Sequence, residues 1–408
     1  MNAASARGTP SPNYLGLLVS PLSADDFLRD VWARQFMHVS GHKDKFKKLF
    51  SWGQLNKALE HCPLEPPRIR LSKDGKDVEP QKYLVSTNLG GRGKIHHIRP
   101  TRVIKELRQG ATLILSYIEA LSPELKHLSV ALEKLFRVYV NVNLYAAFGG
   151  DGGFGLHWDD QDSLILQLEG RKRWAVYEPT RNHPVIDDKL PPPPTAAPVW
   201  DGILDEGGLF HIPRGWWHLA SPVNEPSLHL TITVNSMTGL DFLRWFVDGL
   251  KNSESVRANI PVWATPTEER DHFELIKQEL LRAWKPDVPS RFVAHLDTLA
   301  VPYCNMGLPN MIAPNGPRID ADTNLILSST RPLVYRESEN GTVTFTYDGR
   351  TWKFRKDLLP VLDLLDDGRS HTLGEISALA SGLEARAEIE DFLSRLVQGG
   401  LVITEFIA

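Results

Sequence analysis

The spacing of apolar residues divides the chain into helical and strand-like stretches. Apolar side chains recur at helical spacing over Trp52–His61, 101–110 and 122–136, and Ser23 can cap a further helix. From Val138 onward, apolar and polar residues alternate, which predicts a strand. The sequence before Val138 is therefore predicted to contain several helices, with loops and short strands over residues 63–94, and a sheet begins after it.

Four short strand patterns follow, with turn signals between them. They cover residues 163–168, 173–177, 208–212 and 229–235. Many short strands with frequent turns are typical of an antiparallel barrel or sandwich. Because Glu169-Gly170 separates the first two patterns, we expect these two strands to pair as a hairpin.

The pattern becomes helical again after the last of these strands. Residues 240–250 and 267–284 predict two helices. Residues 331–408 show alternation, then three helical segments and a final apolar strand, an order that suggests a winged-helix-like module. The chain as a whole is predicted to be α+β.

Composition narrows the class of protein. With 408 residues the chain is long enough for two or three domains, and the net charge of -4 requires neither nucleic acid nor membrane as a partner. Cys62 and Cys304 are the only cysteines, which fits a reducing compartment. We expect a cytoplasmic protein without a signal peptide or membrane span. The acidic segment 331–408 lacks the basic face that DNA contact needs, so direct DNA binding is not expected.

Two separated motifs could together hold a metal ion. His157 and Asp159 form an H-x-D motif, and residues two apart on a strand point to the same side. His218 lies 59 positions after Asp159, behind a Gly-Pro-Gly pattern typical of the second cupin motif. Two histidines and one carboxylate form a facial triad, the ligand set of non-haem Fe(II) oxygenases, and it leaves positions open for cosubstrate and dioxygen. We predict that His157, Asp159 and His218 are metal ligands and catalytic residues.

The residues around this motif resemble a known family. Residues 157–177, H-W-D-D-Q-D-S-L-I-L-Q-L-E-G-R-K-R-W-A-V-Y, and 227–231, S-L-H-L-T, are similar to the JmjC ribosomal oxygenases. These proteins are Fe(II)- and 2-oxoglutarate-dependent hydroxylases of ribosomal proteins. The resemblance implies a double-stranded β-helix (the cupin or JmjC jelly roll), Fe(II), 2-oxoglutarate, dioxygen and a homodimer. It also implies a 2-oxoglutarate site formed by Lys172, Asn143, Tyr145 and Thr233.

The resemblance also suggests a domain organisation. Residues 1–19 would be a disordered tail, and 20–238 a catalytic domain with N-terminal helices. Residues 239–330 would be a helical dimerisation region, and 331–408 the winged-helix-like domain. Because 240–250 is apolar around more than one face, Trp245 and Phe246 are predicted to help bury the dimer surface.

The substrate stays open at the level of sequence. A protein or peptide is expected, with a His or Arg side chain of a ribosomal protein as the hydroxylated group. The alternatives are a JmjC-type lysine demethylase, a hydroxylase of a peptide natural product, and a non-catalytic cupin-fold binding protein. Two departures from the family pattern, the Gly-rich run 149–153 and the pair Trp216-Trp217, could reshape the substrate entrance.

Overall fold

The architecture is α+β, with a two-sheet barrel at its centre. The computed structural model describes residues 14–149, 154–189, 191–301, 306–313, 316–338, 340–379 and 383–405. The N-terminal part wraps one side of the barrel with helices and short strands. Its elements are α1 (Tyr14–Val19), α2 (Ala24–Asp26), β1 (Met37–Val39), α3 (Trp52–His61), β2 (Ile69–Lys73), β3 (Lys76–Asp77), β4 (Leu84–Asn88), β5 (Lys94–Ile98), α4 (Pro100–Arg108), β6 (Thr112–Leu115) and α5 (Pro123–Phe136).

The helices of this part follow the sequence pattern closely, with one correction. Ser23 caps α2, and Ser51 and Ser122 cap α3 and α5, each accepting a backbone N–H with its side chain. The predicted disordered tail 1–19 is wrong for residues 14–19, because α1 begins at Tyr14. This helix buries Leu15, Leu18 and Val19 in the main core. Residues 1–13 lie outside the described part of the chain.

The barrel itself is built from seven strands and one isolated bridge. The strands are β7 (Val140–Ala147), β8 (Asp162–Glu169), β9 (Lys172–Tyr177), β10 (Trp200–Leu204), β11 (Leu209–Ile212), β12 (Trp217–Pro222) and β13 (Ser227–Val234). The larger sheet has the order β1-β11-β8-β13-β7-β6-β2-β3, and the smaller sheet has the order β10-β9-β12. All these strand pairs are antiparallel. This is the predicted jelly-roll arrangement.

The predicted hairpin of the first two short strands is wrong. β8 pairs with β11 and β13 in the larger sheet, whereas β9 pairs with β10 and β12 in the smaller sheet. Gly170, in the left-handed region at a φ of 66°, lies in the connection where the chain passes from one sheet to the other. Its absent side chain matters, since a Cβ there would lie 2.0 Å from the Pro226 carbonyl oxygen.

The larger sheet has two chemically different faces. The outer face carries buried aliphatic residues that pack on the N-terminal helices in the main core. The inner face is far more polar. Its paired residues include Asn141, Asn143 and Tyr145 on β7, Thr233, Thr231 and His229 on β13, and Ser163 and Gln167 on β8. Because neighbouring residues of a strand point to opposite sides, one face closes the core and the other lines the barrel interior.

The helical region after the barrel has its own small core. Its helices are α6 (Gly239–Asp248), α7 (Glu254–Arg257), α8 (Pro266–Ala283) and α9 (Val288–Thr298). Phe246, Leu250 and Val288 are buried in this core, and Trp245 packs against it. The prediction that Trp245 and Phe246 help bury a dimer surface is therefore wrong for Phe246, which this core already buries, whereas Trp245 is only partly buried and for it the prediction stays open. Both face α8 and α9 because these helices cover the second apolar side of α6.

The C-terminal part contains the predicted alternating strands, three helices and final strand, together with two short strands that the sequence pattern did not predict. Its elements are β14 (Asn324–Leu327), β15 (Arg336–Glu337), β16 (Thr342–Tyr347), β17 (Arg350–Arg355), α10 (Leu359–Leu365), β18 (His371–Thr372), α11 (Leu373–Ser377), α12 (Leu383–Gln398) and β19 (Val402–Glu405). The two strands that were not predicted are β14 and β18. β14 lies between β18 and β19, and β16 lies between β15 and β17. A winged-helix-like assignment for this part stays a prediction. No helix in the described ranges has the length and hydrophobicity needed to cross a membrane.

Candidate metal centre

A short backbone bridge brings the two sequence motifs together. The His157 N–H donates to the carbonyl of His218 at 3.2 Å, and the His218 N–H donates to the carbonyl of His157 at 2.8 Å. A third backbone bond joins the Gly215 N–H to the carbonyl of Asp159 at 2.8 Å. Gly215 has a φ of 84°, a conformation that glycine adopts without strain, so the turn before His218 can approach Asp159 closely.

The three predicted ligands converge on one point. His157 Nε2 lies 3.9 Å from Asp159 Oδ1, and His218 Nε2 lies 3.6 Å from Asp159 Oδ2. One ligand atom from each of the three residues lies within 4.8 Å of the others. Ligand atoms bound about 2.0–2.2 Å from one metal ion are separated by distances of this order. The cluster can therefore hold a divalent ion with three protein ligands.

Hydrogen bonds fix both imidazoles in the form that a metal needs. His157 Nδ1 lies 2.8 Å from the carbonyl of Gly155, and His218 Nδ1 lies 3.2 Å from the carbonyl of Trp216. Because a carbonyl only accepts, each Nδ1 carries the proton and each Nε2 keeps its lone pair for the metal. Burial, and secondarily the His157 imidazole, lowers the pKa of His218 to about 4. The ring is thus neutral at physiological pH and ready to coordinate.

Asp162 supports this geometry, and the sequence did not single it out. Its carboxylate is buried and accepts the Arg214 N–H at 3.2 Å and the Ser236 hydroxyl at 3.1 Å. It therefore ties the start of β8, just after Asp159, to the turn that precedes His218. The sequence offers one signal for this role. Asp162 lies three positions after Asp159 and is the first residue of a strand.

Lys172, the predicted cosubstrate residue, is buried on the inner face of β9. Its side chain is 4% exposed, and burial lowers the pKa of its ammonium group to about 8. Within the described ranges, no carboxylate lies within ion-pair distance of this ammonium group, and it has no hydrogen-bond partner. A buried cation without a counter-ion is costly unless an anion binds to it. The interior is thus prepared for an anionic ligand.

The other three predicted cosubstrate residues also face the interior, but at different depths. Tyr145 lies opposite His229, Asn143 opposite Thr231, and Thr233 opposite Asn141 and Ser163. Thr233 therefore lies level with the start of β8, whereas Tyr145 lies level with its end. Burial, and secondarily Asp159, raises the pKa of Tyr145. Thr231, between the two levels, is an inner-face hydroxyl that sequence reasoning missed.

The two departures from the family pattern have different outcomes. Within the Gly-rich run 149–153, residues 150–153 lie outside the described part of the chain. Trp217 is buried, and its indole N–H donates to the Thr180 hydroxyl at 2.9 Å, so it is a structural residue of the barrel. Trp216 is partly buried and packs with Phe36 against the interior cluster of Ile165 and its neighbours.

Comparison with known proteins agrees with the fold. Residues 120–242 match the family model described as the JmjC domain. The bifunctional lysine-specific demethylase and histidyl-hydroxylase NO66 of Drosophila grimshawi is 26% identical over 321 residues, which are 73% of this chain and 43% of that protein. The protein of the same name from Brugia malayi is 30% identical over 257 residues, or 60% of this chain and 34% of that protein. The chain thus aligns with less than half the length of these relatives.

Solved structures match over nearly the whole chain. The structure of E. coli YcfD superposes with a TM-score of 0.58 at 17% identity, covering 94% of this chain and 98% of the other. A second structure, of this ribosomal oxygenase in complex with cobalt and 2-oxoglutarate, superposes with a TM-score of 0.54 at 18% identity, covering 94% and 99%. Residues 120–242 are therefore similar to the JmjC domain, and the chain has the fold of the YcfD structures.

Proposed function

We propose that this protein is an Fe(II)- and 2-oxoglutarate-dependent dioxygenase that hydroxylates a protein side chain. The observation that carries the proposal is the combination of the His157, Asp159 and His218 cluster with the buried, unpaired cation of Lys172 in the same barrel. A metal-only cupin site would explain the cluster but would leave Lys172 without a purpose. A dicarboxylate that chelates a metal ion and reaches Lys172 accounts for both features.

The residues present fit both groups. His157, Asp159 and His218 would hold Fe(II), and Lys172, with Tyr145, Asn143 and Thr233, would hold 2-oxoglutarate. When bound, the iron and cosubstrate supply the oxidising power that inserts one oxygen atom of dioxygen into a C–H bond. Asp162 keeps the ligand-bearing segments in place, and the aliphatic and aromatic interior around Trp174 excludes bulk water from the cosubstrate.

The substrate is proposed to be a His or Arg side chain of a ribosomal protein. Two comparisons support this class: the relatives are named histidyl-hydroxylases, and YcfD is named a ribosomal oxygenase. The test is mass spectrometry of ribosomal proteins incubated with the iron-loaded protein and 2-oxoglutarate. A mass gain of one oxygen atom on a histidine or arginine is expected. Because the relatives are also named lysine-specific demethylases, loss of a methyl group from lysine, without any such gain, would favour that activity instead.

Replacing Lys172 by alanine should raise the 2-oxoglutarate requirement strongly. The change removes the counter-charge of the distal carboxylate from a buried site. A hydrogen bond between charged groups contributes about 1.5–3 kcal/mol, which corresponds to a rise of about 10- to 150-fold in the apparent KM for 2-oxoglutarate. Arg173→Ala is the matched control, since Arg173 is exposed on the same strand and pairs with Asp201. An unchanged requirement in Lys172→Ala would remove this residue from the site.

The pH dependence gives the same assignment an independent readout. The Lys172 ammonium is charged below its pKa of about 8 and loses its proton above it, so kcat/KM for 2-oxoglutarate should be level below that pH and fall above it. Burial and Lys172 itself keep the pKa of His229 low, and burial keeps that of Tyr145 high, so both stay neutral across this range. In Lys172→Ala the fall should disappear.

A homodimer is also proposed, through a different face of α6 than the sequence suggested. Leu240, Leu243 and Val247 follow one another at helical spacing and are 41%, 49% and 50% exposed. An isologous contact would cover this stripe with its own copy. Leu243→Glu with Val247→Glu should convert a dimer into a monomer in sedimentation at micromolar concentration, whereas Leu17→Glu, at an even more exposed position on α1, should not. A wild type that sediments as one chain would contradict the proposal.

A further inference from the structure

His229 occupies a central position on the inner wall of the barrel. On β13 it lies opposite Tyr145 of β7 on one side and opposite Gln167 of β8 on the other. The register between β8 and β13 shifts between Leu228 and His229. Such irregularities re-aim side chains and are frequent beside active sites. The proposed metal ligands do not include His229, although it lies on the same barrel interior.

Aromatic neighbours hold the imidazole of His229 in one orientation. The ring stacks on Tyr145 with centroids 4.8 Å apart and an interplanar angle of 4°. Trp174 meets it edge to face at 5.6 Å. The residue is 2% exposed, so the ring has no room to turn toward solvent. Its nitrogens therefore point in directions that the barrel fixes.

Despite this burial, the ring is not satisfied. Nδ1 of His229 is buried and has no hydrogen-bond partner among the described residues. Three further atoms of the barrel interior are in the same condition: the Ser163 hydroxyl, the Gln167 side-chain oxygen and the Trp174 indole nitrogen. Buried polar atoms without partners are rare, and each raises the free energy of the folded state. Four of them on the two facing sheets, together with an unpaired lysine, indicate an interior prepared for a polar ligand.

Among the charged groups, the Lys172 ammonium acts most strongly on the pKa of His229. Burial, and secondarily the Lys172 ammonium, lower the pKa of His229 well below its ordinary value. The imidazole is therefore neutral and has one N–H donor. Lys172 and a neutral His229 together match a single carboxylate. The Lys172 ammonium balances its negative charge, and the imidazole N–H can donate to its second oxygen. A protonated His229 would add a surplus positive charge instead.

We propose that His229 binds the distal carboxylate of 2-oxoglutarate together with Lys172, donating its Nδ1–H to the carboxylate oxygen that the lysine leaves free. The inference rests on the proposed function and deepens it. It assigns to His229 a role in choosing the cosubstrate: the site favours a 2-oxo acid that carries a second carboxylate at its far end. The same residue in the absence of cosubstrate is a source of instability, because its N–H is then unsatisfied.

The experiment compares wild type with His229→Phe, both loaded with Mn(II) and titrated without dioxygen. Phenylalanine keeps the ring contacts with Tyr145 and Trp174 and removes only the nitrogens. Calorimetry with 2-oxoglutarate should show an affinity about 10- to 150-fold lower in the variant. With 2-oxopentanoate, which has the same chain length but no distal carboxylate, the two proteins should bind equally. Thermal unfolding without cosubstrate should show His229→Phe to be at least as stable as wild type, the reverse of what a purely structural histidine predicts.

The second variant is His229→Asn. The asparagine amide can place a donor near the position of Nδ1 and should recover most of the 2-oxoglutarate affinity that is lost in His229→Phe. Equal binding of 2-oxoglutarate by wild type and His229→Phe overturns the inference and leaves the proposed function intact. Equal weakening of both ligands in His229→Phe also overturns it, because the carboxylate is then not what the residue recognises. A wild type that binds no 2-oxoglutarate at all overturns the proposed function and, with it, the inference.

Discussion

His157→Ala and His218→Ala are each expected to reduce 2-oxoglutarate turnover to the metal-free background. Removing either imidazole leaves two ligands, too few to hold the ion against water, and these variants should be purified with almost no iron. Metal analysis of protein loaded with Fe(II), together with succinate formation, measures both effects. The fold should survive, because the bridge between the two residues is made by backbone atoms and does not need either side chain.

The control for these variants is His97→Ala, which removes an exposed histidine on β5. It should keep the iron content and turnover of the wild type. His211→Ala is unsuited to this purpose, because His211 is fully buried and stacks on Trp32 in the core. Full turnover in His218→Ala would mean that the metal lies elsewhere and that the assignment of all three ligands is mistaken.

The sequence allowed the ligand set to be predicted because two local rules act there together. Residues two apart in an extended segment, such as His157 and Asp159, point to the same side, and the glycine and proline before His218 mark a tight turn into a strand. Both rules depend only on neighbouring residues. Neither rule shows that the segment with His157 and Asp159 lies next to the segment with His218. That proximity had to be inferred from the presence of both motifs in one chain. The structure brings the two segments together through the backbone bridge of His157 and His218.

Pairing between strands was harder to predict than the strands themselves. Each of the four strand patterns corresponds to a strand, yet the hairpin expected at Glu169-Gly170 is absent because β8 and β9 belong to different sheets. A glycine at a turn permits a change of direction but does not specify the partner. The partner is decided by which strands bury their apolar faces together, and that depends on residues far away in the chain.

Burial of polar residues was likewise not predictable from local patterns. Lys172 is flanked by Arg171 and Arg173, and nothing in three successive basic residues shows that the middle one is buried while its neighbours pair on the surface with Glu225 and Asp201. His229 stands in an apolar strand, a position that does not by itself show whether the ring nitrogens find hydrogen-bond partners. Its unpaired Nδ1 is a property of the assembled barrel.

Two consecutive residues of α5 connect the barrel part of the chain to the C-terminal part. Glu133 and Arg331 form an ion pair of 2.6 Å, with side chains 1% and 4% exposed. Lys134 and Asp366 form a second pair of 2.7 Å, also largely buried. Glu133 further accepts the backbone N–H of Val140 at the start of β7. The C-terminal part is thus attached to the same helix that leads into the first barrel strand.

Arg331→Ala is therefore expected to lower the free energy of unfolding by about 3–5 kcal/mol, because it leaves the Glu133 carboxylate buried without its counter-ion. Chemical denaturation measures the change. Arg386→Ala is the matched control: it breaks a half-exposed pair with Glu390 and should change stability by no more than about 0.5 kcal/mol. Replacing Glu133 and Arg331 together by leucine should be less harmful than Arg331→Ala, since no charge then stays buried. If Arg331→Ala were as mild as the control, the pair would not hold the two parts together.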